Sequence, residues 1–228
     1  MQTRVQVVHK HDPALELDTD NLQWLTDDEV SRYQSISSPQ RKQQFLAGHY
    51  LAREMAAHIY GHSIEDWIYS VDNTHQRRLK CRLTGLPELY VSLSHSGDWI
   101  AAAISVSAIG IDIETYGKQR DFIAIASHVF SEPETSLLKS LAPDRLNRQF
   151  YLYWTLKECV AKQYGDGLKF EVSRAHTFIP ATEPVKATIF SWQCPEYVLA
   201  LAGKANLDIE TVGLCQPAEQ LRWQNVAA

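Results

Sequence analysis

The segment IGIDIE at 109–114 constrains the fold of this 228-residue chain more than any other stretch. Isoleucine alternates with glycine, aspartate and glutamate, which is the two-residue period of a β-strand with one buried face. The isoleucines should enter a core, and Asp112 and Glu114 should lie on the opposite face, about 7 Å apart. Two carboxylates at that distance repel by roughly 2–3 kcal/mol at an effective dielectric constant near 20. A solvated strand face tolerates this repulsion, whereas a cleft needs a cation, and oxygen ligands favour Mg²⁺ or Mn²⁺.

A third carboxylate lies on a long predicted helix that begins at Pro143-Asp144, contains YWTLKECVAK at 153–162 and ends at Gly165. Apolar residues at helical spacing predict a core-facing stripe: Leu146, Phe150, Tyr153, Val160 and Tyr164. Glu158 and Lys162 lie on the other side as an i, i+4 pair. Alone, this pair is typical of an exposed helix surface. Together with Asp112 and Glu114, it would suit a metal-bound diphosphate.

The segment SLSHSGDW at 92–99 places His95 between two serines at a predicted strand-to-strand turn. Hydroxyls, backbone N–H groups and an imidazole together favour an anion site. A turn histidine with local hydrogen bonds explains the same residues equally well. A Ser–His hydrolase is disfavoured because adjacent strand residues point apart and the chain has no GxSxG motif.

The remaining patterns predict an α+β chain. Thr26–Glu29 and Ser131–Glu134 are capping boxes that open helices. Ser38 and Pro39 should begin a helix that ends at Gly61. Three strands within 89–114 should form a meander, and TIFSW and EYVLALAG should form a closing pair. We expect two lobes, residues 1–107 and 108–228.

Composition excludes several classes of protein. The net charge of −5 and pI near 6.0 do not favour nucleic acid or anionic lipid as a partner. The N-terminal sequence shows no signal peptide, and no window is apolar enough to span a membrane. Four scattered cysteines without a CxxC pair indicate reduced thiols in a cytoplasmic protein.

Three motifs in this order, SHS at 94–96, GIDIE at 110–114 and WTLKECVAK at 154–162 followed by YGDGL, resemble the Sfp-type 4′-phosphopantetheinyl transferases. The resemblance spans residues 38–170. It implies two similar α/β lobes related by a pseudo-twofold axis, in a monomer that binds coenzyme A between them. It also implies transfer of the phosphopantetheine arm of coenzyme A to a serine of an apo acyl or peptidyl carrier protein, which releases 3′,5′-ADP.

The resemblance also assigns roles to individual residues. Asp112, Glu114 and Glu158 match the Mg²⁺ ligands, and Glu158 matches the acid that takes the serine proton. Lys162 matches a lysine that contacts the diphosphate. Ser94 and His95 match the phosphate site of the coenzyme, and Arg53 fits a second coenzyme-binding arginine. Lys157 lies on a different helix face from Glu158 and should have at most a supporting role.

Two departures from the family pattern concern the coenzyme site. The family often has Gly-Lys-Pro before the SHS strand, where this chain has Gly85-Leu86-Pro87. His49 stands where the family commonly has arginine. Because histidine loses its charge near neutrality, we expect coenzyme binding that is weaker or more sensitive to pH.

The carrier-protein surface implied by the resemblance covers about residues 116–129. Lys118 and Arg120 would contact an acidic carrier helix, and Phe122 and Ile123 would add apolar contact. A solvated loop explains the same residues. Two other functions stay open: a degenerate module that binds a carrier without turnover, and a metal-dependent phosphohydrolase.

Overall fold

A computed structural model of the chain describes residues 3–83, 85–117, 120–165, 167–169, 173–181, 188–204, 207–214, 216 and 218–227. The helices in these ranges are α1 (Asp27–Ser35), α2 (Pro39–Tyr60), α3 (Phe122–Val129), α4 (Glu132–Ser140) and α5 (Pro143–Tyr164). The strands are β1 (Thr3–His9), β2 (Trp67–Val71), β3 (Arg77–Cys81), β4 (Leu89–Ser96), β5 (Trp99–Ser105), β6 (Gly110–Thr115), β7 (His176–Pro180), β8 (Ile189–Gln193), β9 (Tyr197–Ala202), β10 (Ile209–Val212) and β11 (Glu219–Ala227). The predicted α+β class is confirmed.

The strands form two sheets that pack face to face. The first has the order β10-β1-β5-β4-β3-β2, and the second has the order β6-β9-β8-β11-β7. Helix α2 covers the outer face of the first sheet, and α3, α4 and α5 cover the outer face of the second. A core of residues from both sheets fills the space between them. The fold therefore has four layers, with helices outside and sheets inside.

Strands β5 and β9 each have a neighbouring strand on both sides and are buried on both faces. In β5, Ile100 and Ala102 face α2, whereas Ala101 and Ala103 face the second sheet. Burial on both faces explains why WIAAAIS is nearly continuously apolar rather than alternating.

Helices α2 and α5 are matching elements of the two lobes. Each has 22 residues, begins with proline in its first turn and ends at a glycine in the left-handed region, Gly61 or Gly165. Each packs on the outer face of its own sheet, as the predicted pair of similar lobes requires. In the part of the chain that is described, no helix combines the length and apolar character needed to cross a membrane.

The structure corrects the predicted meander. Strands β4 and β5 pair, but β6 leaves that sheet and pairs with β9 at the edge of the second one. Strand β10, which belongs to the predicted lobe 108–228, pairs with β1 in the first sheet. Local patterns identify strands, but they do not determine which distant strand becomes the partner.

The predicted apolar stripe of α5 is only partly right. Phe150 and Tyr153 are buried as expected, whereas Tyr164 is 66% exposed. Tyr151 and Thr155, which do not belong to this stripe, are buried too. The helix fits between the second sheet and helices α3 and α4, so it needs a wider buried surface than one stripe provides.

Gly110 allows α5 to lie directly on β6. A Cβ atom at this position would overlap the carbonyl oxygen of Cys159 and the backbone nitrogen of Gln163. Only glycine lets a helix backbone approach a strand this closely. The first residue of GIDIE therefore sets the separation between the strand that carries Asp112 and the helix that carries Glu158.

We expect Gly110→Ala to destabilise the fold by about 3 kcal/mol, because the added methyl group forces β6 and α5 apart. Gly117→Ala is the matched control, since a Cβ atom there meets nothing within 4 Å. Urea denaturation of both variants measures the difference. Equal stabilities of the two variants would show that the packing of β6 on α5 is looser than described.

Candidate functional site

A cleft of about 1560 Å³ opens along the free part of β4. Strand β3 pairs with β4 only as far as Val91, which lies opposite Arg77, whereas β4 continues to Ser96. Residues 92–96 therefore have no β3 partner. Elements of both lobes line the cleft, namely α1, α2, β2, β3 and β4 on one side and β6 and α5 on the other.

A ladder of serine hydroxyls joins β6 to β4. Ser92 Oγ accepts a hydrogen bond from the Ile111 N–H at 2.9 Å, and Ser94 Oγ and Ser96 Oγ accept from Ile113 and Thr115 at 3.3 and 3.1 Å. Strand β6 is an edge strand, so these N–H groups face away from its partner β9. The hydroxyls satisfy donors that would otherwise be buried without a partner. We call this set the serine ladder.

The serine ladder also orients the two acids of GIDIE. Ser94 Oγ donates to Asp112 Oδ1 at 2.8 Å, and Ser96 Oγ donates to Glu114 Oε2 at 2.6 Å. The same two hydroxyls therefore hold the strand and its carboxylates. Asp112 is only 4% exposed. The interpretation of this strand face as solvated, which the sequence left open, is therefore wrong for this residue.

Lys162 reaches across from α5 to the serine ladder. Its Nζ lies 2.7 Å from Asp112 Oδ1 and 2.9 Å from Ser94 Oγ. Among the ion pairs of the described residues, Lys162 pairs with Asp112 and not, as expected, with Glu158. A carboxylate in a poorly solvated position attracts an ammonium group more strongly than a carboxylate on a helix surface does.

Ser94 has no bonding capacity left for a phosphate. Its hydroxyl donates to Asp112 and accepts from Lys162 and from the Ile113 N–H. One donor and two acceptor positions are the full inventory of a hydroxyl group. In this arrangement Ser94 orients Asp112 and Lys162, and a contact with the coenzyme would have to replace one of these bonds.

Asp112, Glu114 and Glu158 face the same cleft and repel each other. Burial raises the pKa of Glu114, and the Asp112 carboxylate raises it further. Burial likewise raises the pKa of Glu158, with added repulsion from Asp112 and Glu114. Lys162 lowers both pKa values but does not reverse either shift. The cleft therefore contains more negative charge than its own lysine neutralises.

The donor set fits a divalent cation. Asp112 Oδ2 is buried and has no hydrogen-bond partner, so one ligand oxygen is already desolvated and free. Every candidate ligand is a carboxylate oxygen, which suits Mg²⁺ or Mn²⁺. Among the described residues, no group of three or more His, Cys, Asp or Glu side chains is already arranged around a metal position. Lys162 takes the other oxygen of Asp112, so Oδ2 is the oxygen of this residue that would bind a cation.

His95 is uncharged in the cleft. Burial, with the charges of Arg41 and Lys162, lowers its pKa to about 4. Its Nε2 lies 2.6 Å from an Arg41 guanidinium nitrogen, which can only donate, so Nε2 is the acceptor. The positive charge at this end of the cleft comes from Arg41. His95 accepts from Arg41 and thereby orients it.

His49 and Arg53 bind Glu29 of α1. Arg53 donates to both carboxylate oxygens of Glu29 at 2.9 and 2.6 Å, and His49 Nδ1 lies 2.5 Å from Oε1. Burial alone would raise the pKa of Glu29, but the hydrogen bonds from His49 and Arg53 lower it to about 2. This cluster joins α1 to α2, and Glu29 and His49 belong to the lining of the cleft.

This cluster bears on two expectations about the coenzyme site. Arg53 is fully buried and so has no surface for a ligand. Burial lowers the pKa of His49, and its Nδ1 is bound to Glu29. The expected pH-dependence of coenzyme binding through His49 stays a prediction.

Sequence reasoning missed Arg77 as a cation of the cleft. Arg77 begins β3, lines the cleft and bonds to the side chain of Tyr69. Leu86, which stands where a coenzyme-binding lysine was expected, packs instead against the core under α2. The pair of arginines at the start of β3 was the signal in the sequence from which this cation could have been found. Side chains alternate along β3, so Arg77 lies on the same face as Leu79. Leu79 is fully buried in the core under α2, so this is the face that α2 covers.

Lys157 is a structural cation. Its Nζ lies 2.9 Å from Glu134 Oε2 and donates to the backbone oxygens of Ser173 and His176, each at 2.9 Å. Glu134 in turn accepts from the Phe178 N–H at 3.0 Å. The contacts of Lys157 and Glu134 together bind α5 to α4 and β7. Lys157 therefore faces the core of its lobe, whereas its neighbour Glu158 faces the cleft.

The segment expected to contact a carrier protein forms helix α3. Phe122 is buried and packs on Phe150, with 4.7 Å between ring centroids, so its expected role as an exposed apolar contact is wrong. Ile123 is partly buried against the same core, and Arg120 is exposed. Lys118 lies outside the described residues.

Comparison with known proteins points to one family. The family model described as "4'-phosphopantetheinyl transferase superfamily" matches residues 108–202. A 4′-phosphopantetheinyl transferase of Bacillus subtilis is 37% identical over 123 residues, which are 54% of this chain and 52% of the relative. The transferase Sfp of Bacillus subtilis strain 168 is 31% identical over 157 residues, with 63% and 67% covered. The transferase HetI of Nostoc is 28% identical over 176 residues, with 76% and 73% covered. With the first of these relatives, the match spans about half of the relative's length.

We expect Lys157→Met to cost about 3–5 kcal/mol of stability, because it leaves Glu134 charged and buried without its cation. Replacing both partners, as in Lys157→Met with Glu134→Met, should recover most of this loss. Lys139→Met on the exposed side of α4 is the control and should change little. Urea denaturation provides the measurement. A Lys157→Met protein as stable as the control would contradict the structural role.

We expect the Glu29 carboxylate to contribute stability only above acidic pH. Its pKa is about 2 in the fold and 4.5 in the reference state, so the contribution is complete above pH 4.5 and is lost as the pH falls toward 2. The loss is about 3 kcal/mol. Urea denaturation between pH 6 and 3 should show a smaller pH-dependence in Glu29→Gln than in wild type. The exposed Glu16→Gln control should keep the wild-type slope.

Proposed function

This chain belongs to the Sfp-type 4′-phosphopantetheinyl transferases, and from that premise we propose that it transfers the phosphopantetheine arm of coenzyme A to a serine of an apo carrier protein. The family is shown by the relative Sfp, which is 31% identical over two thirds of its length. The observation that carries the proposal is the distribution of charge in the cleft. Arg41 and Arg77 line the first-lobe wall, and Asp112, Glu114 and Glu158 line the second-lobe wall.

A coenzyme with phosphate groups matches this distribution. Neither Arg41 nor Arg77 takes part in the ion pairs of the described residues, so both guanidinium groups are available to phosphate oxygens. Guanidinium groups bind phosphate in a bidentate manner. Lys162 lies between the two walls and contacts the diphosphate in our proposal.

The acidic wall would hold the metal ion and accept the proton. We assign Asp112, Glu114 and Glu158 as the ligands of Mg²⁺, with Mn²⁺ as a substitute. Mg²⁺ supplies charge neutralisation on the diphosphate oxygens when it is bound. The raised pKa of Glu158 makes its carboxylate a better proton acceptor than an ordinary surface glutamate.

The proposed reaction is a substitution at phosphorus. The carrier serine Oγ forms a bond to the phosphorus that bears the pantetheine arm, and the bond from that phosphorus to the oxygen of 3′,5′-ADP breaks. The serine proton moves to a carboxylate oxygen of Glu158, directly or through water. Lys162 and Arg41 compensate the charge that develops on the leaving group.

The partner in this reaction is an apo acyl or peptidyl carrier protein. Arg120, exposed before α3, offers a positive group to the acidic helix of such a carrier. We propose that the protein acts as a cytoplasmic monomer, since one chain supplies both walls of the cleft. The buried free thiols of Cys81 and Cys159 agree with a reducing compartment.

The decisive experiment mixes the protein with coenzyme A, Mg²⁺ and apo carriers of fatty-acid, polyketide and peptide synthesis. Mass spectrometry of each carrier should show the added phosphopantetheine arm. A stable complex without a change in mass would instead indicate a binding module. Consumption of coenzyme A without any modified carrier would indicate a phosphohydrolase.

We expect Glu158→Gln to lower kcat by at least about 100-fold, because the amide neither accepts the serine proton nor binds the cation well. Its matched control is Glu132→Gln, an exposed glutamate on α4 that should leave the rate unchanged. Initial rates at saturating coenzyme A and Mg²⁺ provide the comparison. Full activity of Glu158→Gln would remove this residue from the mechanism.

A further inference from the structure

The tip of the β2–β3 hairpin contacts the C-terminal end of α5. Gln76 Nε2 donates to the backbone oxygen of Gln163 at 2.8 Å. Beside this bond, Gly165 lies against the backbone oxygen of Thr74, where a Cβ atom would overlap that oxygen. The two lobes therefore meet at a second place, away from the core between the sheets.

The end of α5 is suited to accept this contact. The last carbonyl groups of a helix have no partner within the helix, and Gln163 O is one of them. Gly165 ends the helix with φ of +77°, a conformation that favours glycine. Glycine is thus required at position 165 both for the helix end and for the approach of the hairpin.

The hairpin tip is held rigidly by Asp72. One carboxylate oxygen of Asp72 accepts from the backbone N–H groups of Thr74 and Gln76 at 2.8 and 3.0 Å. The other accepts from Arg78 Nε and from an Arg78 NH2 group at 3.0 and 2.8 Å. Because both oxygens are used, the turn presents Gln76 in one defined position.

The same network sets the orientation of the Gln76 amide. An Arg78 nitrogen lies 3.1 Å from Gln76 Oε1, and arginine can only donate. The amide oxygen must therefore face Arg78, which turns the NH₂ group toward Gln163 O. The contact between the lobes depends on an amide that is oriented from both sides.

The neighbours of this bond give it a functional consequence. Arg77 follows Gln76 and lines the first-lobe wall of the cleft, and Lys162 precedes Gln163 and lies at the second-lobe wall. Arg77 and His95 lie on the same face of the first sheet, four β4 residues apart in register. That separation is about 14 Å along the strand, so Arg77 lies well along the cleft from His95 and from Arg41, which contacts His95. The hydrogen bond between Gln76 and Gln163 therefore sets the position of Arg77 relative to Lys162.

We propose that Gln76 is a positioning residue for coenzyme A, which holds Arg77 at the distance from Lys162 that the anionic groups of the ligand require. The inference rests on the proposed function and adds to it a residue that does not touch the ligand. Gln76 does not line the cleft, so it acts through Arg77. Loss of the bond lets the hairpin tip and Arg77 move, and small displacements of a binding group weaken affinity strongly.

The test compares Gln76→Ala and Gln76→Glu with wild type. The glutamate keeps an acceptor for Arg78 but cannot donate to Gln163 O. Asn73→Ala in the same turn is the matched control, because the Asn73 side chain is exposed and outside the hydrogen-bond network of the tip. Both Gln76 variants should raise the Kd and KM for coenzyme A about fivefold and leave kcat within about twofold.

A double-variant cycle identifies the residue through which Gln76 acts. Arg77→Gln alone should raise the KM about tenfold, and addition of Gln76→Ala should raise it by less than about twofold more. A purely structural role would lower the melting temperature and kcat of Gln76→Ala with the KM unchanged, which overturns the inference. If the effects of Gln76→Ala and Arg77→Gln on the KM simply multiply in the double variant, the inference is overturned too.

Calorimetric titration with coenzyme A separates this inference from the proposed function. A wild-type protein that neither binds coenzyme A nor modifies a carrier overturns the proposed function, and the inference with it. A wild-type protein that does both, while Gln76→Ala equals Asn73→Ala, overturns the inference alone.

Discussion

The serine ladder is the contact on which the site depends. An edge strand leaves half of its backbone groups without a sheet partner, and β6 solves this problem with hydroxyl groups of β4 instead of a further strand. A hydroxyl accepts from an N–H group and still donates, so Ser94 and Ser96 also orient Asp112 and Glu114. The same hydroxyl groups therefore satisfy the backbone N–H groups of β6 and orient its acids.

The charges of the cleft follow from its construction out of two lobes. The acids Asp112, Glu114 and Glu158 come from a strand and a helix of the second lobe, while Arg41 and Arg77, which take no part in the ion pairs of the described residues, come from the first lobe. The second-lobe acids repel each other and are only partly compensated by Lys162. A ligand that carries phosphate groups together with a divalent cation complements both walls at once.

Buried ion pairs in the two lobes keep these walls in place. Arg53 and Glu29 join α1 to α2, and Lys157 and Glu134 join α5 to α4. Both cations belong to segments that resemble functional motifs, which is why sequence reasoning gave Arg53 a direct role with the ligand. In a sequence, a buried structural cation and a ligand-binding cation look the same. Burial separates them.

Local physics made much of this molecule readable from its sequence. Caps and prolines determined where the long helices begin and end, and the two-residue period of IGIDIE determined which face of β6 carries the acids. The sequence could not show that β6 changes sheets, that Lys162 bonds Asp112 instead of Glu158, or that Arg77 lines the cleft. Those outcomes depend on contacts between residues far apart in the chain, and only the tertiary structure decides which distant group is closest and how much water remains around it.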